Sequence, residues 1–167
     1  MASPLLKQLV WGATIAALIG TGLMAGVFFA FSSFVMPALA GLTPPQGISA
    51  MQSINVKAIT PLFMTLLFGS TLLCVALAVY ALASWSQRGS GLLLLGSVLY
   101  LAGAFLTTAA FNIPLNNALA RVDAASADGA VFWVRFLAGW TAWNHVRALS
   151  SVLAMAAYLF ALLWLPK

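Results

Sequence analysis

Trp140-Thr141-Ala142-Trp143-Asn144-His145-Val146-Arg147 places the chain's single histidine, an arginine and an amide inside a long apolar run. Ionisable groups at membrane depth are costly and rare, and they mark functional positions. A histidine exchanges protons near neutral pH, so His145 is the candidate general base. Arg147 is the candidate for stabilising a developing anion, with Asn144 as a hydrogen-bond donor beside it in a water-poor site.

A helical projection with Asn144 at zero and about 100° per residue puts Arg147 near −60° and His145 near +100°. The two cannot point at one small atom. They suit opposite walls of a pocket floored by Asn144, with Trp140 and Trp143 to hold a flat aromatic ligand. Phe28, Phe29, Phe31 and Phe34 lie at the same end of the first apolar run, with Phe31 a candidate contact.

The surrounding chain dictates an all-α integral membrane four-helix bundle. Hydrophobic residues make up 63% of it, charged residues 5%, and its mean hydropathy is +1.07. Such a composition excludes a soluble core wrapped in a polar surface. Four runs of the roughly 20 residues a span needs lie at about 9–34, 61–84, 91–111 and 139–165, in one domain covering 1–167. Ala38-Leu39-Ala40 resembles a cleavage site, but the run before it is too long for a signal peptide, so an uncleaved helix is expected. Four spans put both termini on one face. Lys7, Arg88 and Lys167 on that face oppose Lys57, Arg121 and Arg135 on the other, and cytoplasmic termini in a plasma (inner) membrane are the expectation.

Two long connections, 35–60 and 112–138, emerge on one face, and loops of that length are usually functional or separately structured. In the first, Thr43-Pro44-Pro45 reads as a helix start, and 44–59 as an amphipathic helix lying on the membrane. Ile48, Met51, Ile54, Ala58 and Ile59 form its apolar arc, and Gln52 and Asn55 turn inward with them as candidate contacts closing the pocket. In the second, Pro114 in Asn112-Ile113-Pro114-Leu115-Asn116 is expected to break the helix, leaving carbonyls for Asn112 and Asn116. Asp123 and Asp128 are the only acids, and Asp128 is expected to cap the last helix.

No acid lies in the spans to neutralise Arg147. Its partners are therefore Asn side chains, carbonyls freed near Pro114, a loop aspartate or an anionic ligand, unless it snorkels to the interface while His145 bonds a neighbouring carbonyl.

Other patterns carry less. Gly20-Thr21-Gly22-Leu23-Met24-Ala25 matches a dinucleotide fingerprint but has no preceding strand. One histidine, one cysteine (Cys74) and two loop acids cannot assemble the usual metal ligand sets, so no metal is expected. Haem is conceivable only through His145 as a single axial ligand. The net charge of +5 is spread out, which argues for headgroup anchoring and against nucleic acid. Gly12, Ala16 and Gly20, then Gly22, Gly26 and Ala30, recur every fourth residue and allow close helix approach within the bundle or in a homodimer.

Phe34-Val35-Met36-Pro37-Ala38-Leu39, Met51-Gln52-Ser53-Ile54-Asn55, the Asn112–Asn116 motif and the Trp140–Arg147 motif resemble, in order and spacing, the anthrone-oxygenase-like family of small four-helix membrane proteins, formerly a domain of unknown function. The resemblance implies a cofactor-independent monooxygenase in some members, oxidising anthrones with molecular oxygen. It carries no agreed catalytic residues. Two rival expectations stand beside it: a non-enzymatic membrane protein that binds or transports a small lipophilic aromatic or quinone-like ligand, and a scaffold whose polar groups only pin helices together.

Overall fold

The computed structural model describes residues 3–165, so Lys167 lies outside the described residues. Among the described residues five helices make up the fold: α1 (Pro4–Ala40), α2 (Pro44–Lys57), α3 (Pro61–Ala83), α4 (Ser90–Leu119) and α5 (Ala127–Trp164). All but α2 are long and apolar enough to cross a membrane, so this is a multi-pass integral membrane protein.

Helix starts follow local chemistry. Ser3, Thr60 and Ser126 each accept a hydrogen bond from a backbone N–H of the first turn, and proline opens α1, α2 and α3. At Thr43 the Gln46 Oε1 accepts from both the N–H and the hydroxyl of the capping residue. Ser126, not Asp128, caps α5: its Oγ accepts from Gly129 N at 2.9 Å, and Asp128 lies exposed one position inside the helix. The tight α3–α4 turn depends on Gly89, whose φ of +88° favours glycine.

The four spans pack in a ring, α1 against α3, α3 against α4, α4 against α5 and α5 against α1. Gly20 meets Ser70 of α3 and Gly22 meets Met155 of α5, so the two small-residue stripes of α1 serve different neighbours. Gly12 and Gly26 have nothing within 4 Å of a Cβ position and stay outside the bundle.

Beyond the helix expected at 44–59, more of the two long connections is helical than the sequence suggested. α1 runs on through Pro37 to Ala40, and α4 runs through Pro114 to Leu119. Proline is accommodated because the helices change register just ahead of it. Residues Phe31–Val35 and Thr108–Asn112 are π-helical, with Met36 N–H reaching Phe31 O and Ile113 N–H reaching Thr108 O, five residues back in each case. A third π segment, Leu101–Leu106, lies earlier in α4.

With 37 and 38 residues, α1 and α5 each extend about 55 Å at 1.5 Å per residue, well beyond the roughly 30 Å of hydrocarbon. Their excess builds a second core at one end, separate from the core between the spans. Met36 of α1, Ile48 and Met51 of α2, Leu119 of α4, and Trp133 and Phe136 of α5 form it. Thus the apolar face of α2 docks onto the bundle's end. Of its expected arc, Ile48 and Met51 are buried and Ile54 packs against them, whereas Ala58 and Ile59 lie beyond the helix and are exposed. Gly47 makes this docking possible, since a Cβ there would come within 2.7 Å of the Trp133 ring.

Candidate functional site

Arg147 is 5% exposed and Asn144 is fully buried, both on the face of α5 turned into the bundle. Arginine is donor-only, and its Nη2 donates to Asn144 Oδ1 at 2.6 Å, which fixes the orientation of the amide. The Asn144 Nδ2 then donates across to α1, to Phe28 O and to Ser32 Oγ, both at 2.7 Å. Phe28 O lies at the entry to the first π segment, where the helical ladder shifts, so the register change and the amide contact belong together. Ser32 Oγ in turn lies 2.9 Å from His145 Nδ1. A chain of contacts therefore runs Arg147, Asn144, Ser32, His145.

Arg147 is held without an acid. Its Nη1 donates to Thr108 Oγ1 at 3.3 Å, and its guanidinium carbon lies 4.5 Å from the Phe28 ring centroid and 4.9 Å from that of Trp140. Two aromatic faces and two neutral oxygens thus share the cation. Asp123 and Asp128 are exposed, and Asp123 accepts from Ala125 N in the α4–α5 link. Neither snorkelling nor a loop aspartate accounts for the arginine.

Asn112 and Asn116 bond to α5 rather than to carbonyls near Pro114. Asn112 Nδ2 donates to Trp140 O at 3.2 Å, and Trp140 Nε1 donates to Asn116 Oδ1 at 2.8 Å. Trp140 is buried, 5.5 Å from Phe31 between ring centroids, and continues a stack through Phe136 to Trp133. Trp143 stacks instead on Phe111 at 3.6 Å. Gln52 Nε2 donates to Leu119 O and Val122 O, closing the end of α4, and Asn55 is half-buried on the same helix. Phe29 and Phe34 are 63% and 61% exposed and face outward.

His145 faces elsewhere. It is exposed at one end of a groove of about 430 Å³ between the upper part of α1 and α5. Met36, Pro37 and Ala40 form one wall, and Leu137, Ala138 and Thr141 the other. With Nδ1 at Ser32, Nε2 is the nitrogen left for a ligand. The structure therefore divides the expected pocket in two, a packed polar knot around Asn144 and Arg147 and an open apolar groove beside His145. Ser32 joins them. Neither Ser32 nor Thr108 stands out in the sequence, since serine and threonine are common in membrane helices and usually bond their own backbone, as Thr108 does to Ala104 O.

Among the described residues no three His, Cys, Asp or Glu side chains cluster as a metal site. Cys74 lies far along the bundle, where Tyr158 Oη donates to its Sγ at 3.1 Å.

These features define a class: a four-span membrane bundle with a buried polar knot, backed onto a lateral apolar groove that carries one histidine. Residues 62–157, more than half of the chain, match the family described as anthrone oxygenase, and the protein belongs to that family of oxygenase-like membrane proteins. No curated protein and no solved structure matches this chain.

Proposed function

We propose that the protein oxidises a lipophilic, anthrone-like aromatic with molecular oxygen in the groove beside His145, with His145 as the base and no cofactor. The observation that carries the reading is the placement of the single imidazole at the end of a largely apolar groove, with Nδ1 2.9 Å from Ser32 Oγ. For Nε2 to act as the base, Nδ1–H must donate to Ser32, whose oxygen already accepts from Asn144. An sp³ oxygen has lone pairs for both donors.

The chemistry balances without a further reductant. His145 takes one proton from the acidified methylene, and the carbon–hydrogen electron pair enters the ring as an enolate. The enolate gives one electron to oxygen, and the resulting radical and superoxide combine to form a carbon–oxygen bond at the former methylene. His145 returns its proton to the peroxide, which then loses hydroxide as the second methylene hydrogen leaves as a proton, so that water and a quinone carbonyl result. One methylene and one O2 give one carbonyl and one water. Arg147, packed behind Asn144, supplies positive charge to this end of the bundle through Asn144 and Ser32 rather than by touching the substrate. Trp140, Asn112 and Asn116 support that arrangement.

The test is oxygen uptake by the purified protein in detergent given an anthrone. Turnover that falls by about 10²- to 10⁴-fold in His145→Ala supports the base. Undiminished turnover in that variant removes histidine from the mechanism, and tight ligand binding without oxygen uptake favours a carrier.

A further inference from the structure

Thr141 shares the groove with His145 one helical turn away, and the two are the only groove-lining side chains with nitrogen or oxygen. Residues four apart on a helix have Cβ atoms about 5–6 Å from each other, so both groups face one bound ring system. The facing wall offers Met36, Pro37 and Ala40, which can cover an aromatic surface but cannot meet a charged oxygen. Thr14, Thr21, Thr71 and Thr108 each turn the hydroxyl back to a carbonyl four residues earlier. No such bond ties Thr141 among the described residues, which leaves its O–H for the groove.

Resting on the proposed oxidation, we infer that Thr141 is a further catalytic residue: its hydroxyl donates a hydrogen bond to the ring oxygen that gains charge as His145 removes the methylene proton. In an anthrone these two atoms lie across one six-membered ring, a separation suited to groups one helical turn apart. Only a hydrogen bond forms at Thr141; the proton itself goes to His145. Stabilisation aimed at developing charge acts most strongly in an apolar, water-poor site.

Ionisation of bound anthrone, followed by its absorbance without oxygen in the full-length protein in detergent, provides the test. In Thr141→Val the ionisation midpoint should rise by about one pH unit or more, and turnover in oxygen should fall on the order of a hundredfold. Thr141→Ser should restore both. Affinity for 9,10-dihydroanthracene, which lacks the oxygen, should stay the same in all three proteins. If Thr141→Val fails to fold, the wild-type protein still decides: it should bind anthrone at least about tenfold more tightly than dihydroanthracene, and equal affinity overturns the inference. Wild-type midpoint and turnover in Thr141→Val would overturn the role of Thr141 while leaving the oxidation intact. A wild-type protein that neither ionises nor oxidises anthrone would end both.

Discussion

Ser32 Oγ lies 2.9 Å from His145 Nδ1 and so connects the exposed imidazole of α5 to α1, 113 residues earlier in the chain. The same oxygen accepts from Asn144, so one small hydroxyl couples the groove to the buried knot.

Ser32→Ala removes that connection without opening a large cavity. Turnover of an anthrone should drop about ten- to a hundredfold, because the ring loses the partner that orients it. The loss should fall on kcat with KM little changed, which a purely structural loss would not produce, and Ser32→Thr should recover most of the rate. Steady-state kinetics would measure both.

His145→Gln should separate chemistry from stability. The side chain is exposed, and surface substitutions of this kind usually change stability by no more than about 0.5 kcal/mol. Thermal unfolding in detergent should therefore match the parent while activity is lost. A marked loss of thermal stability would show that the imidazole is a packing element.

Asn144 and Arg147 should respond asymmetrically. Asn144→Leu strands a buried cation without its closest acceptor and should cost about 3 kcal/mol. Arg147→Met removes the charge along with its desolvation penalty and strands only the neutral Asn144 Oδ1, a smaller cost of about 1 kcal/mol, and replacing both partners by apolar groups is often close to neutral. The double variant should accordingly be more stable than Asn144→Leu alone, an outcome read directly from a double-mutant cycle of unfolding midpoints.

Gly47→Ala tests how α2 docks. A methyl group there would sit 2.7 Å from the Trp133 ring, and neither the ring nor the helix can shift without disturbing the second core. The expected loss is about 1–3 kcal/mol. An unchanged unfolding midpoint would mean that α2 is not held against α5 in solution.

Length and hydrophobicity were enough to read the four spans from sequence, since no other structure buries the backbone polar groups of 20 apolar residues in lipid. Thr43 and the prolines after it similarly announced α2, because capping is local chemistry. Pro114 misled for the complementary reason. Proline disfavours the ordinary helical register, but the π segment before it changes that register, and the change is stabilised by packing against α5 rather than by the five residues of the motif. Asp128 was a reasonable cap on local grounds, yet Ser126 two residues earlier reached the first turn before it.

What the sequence determined by itself was the class of protein, the membrane spans and the angular positions of Asn144, His145 and Arg147 around one helix. Periodicity gives an angle about an axis; it does not say which neighbour stands at that angle. Only the tertiary structure decided that Arg147 faces Phe28, Trp140 and Thr108, while His145 opens onto a groove bounded by α1. A long, flexible side chain follows the contacts that best satisfy its charge: Asn144 and Trp140 lie on its own helix, but Thr108 and Phe28 come from helices more than 30 residues away in the chain.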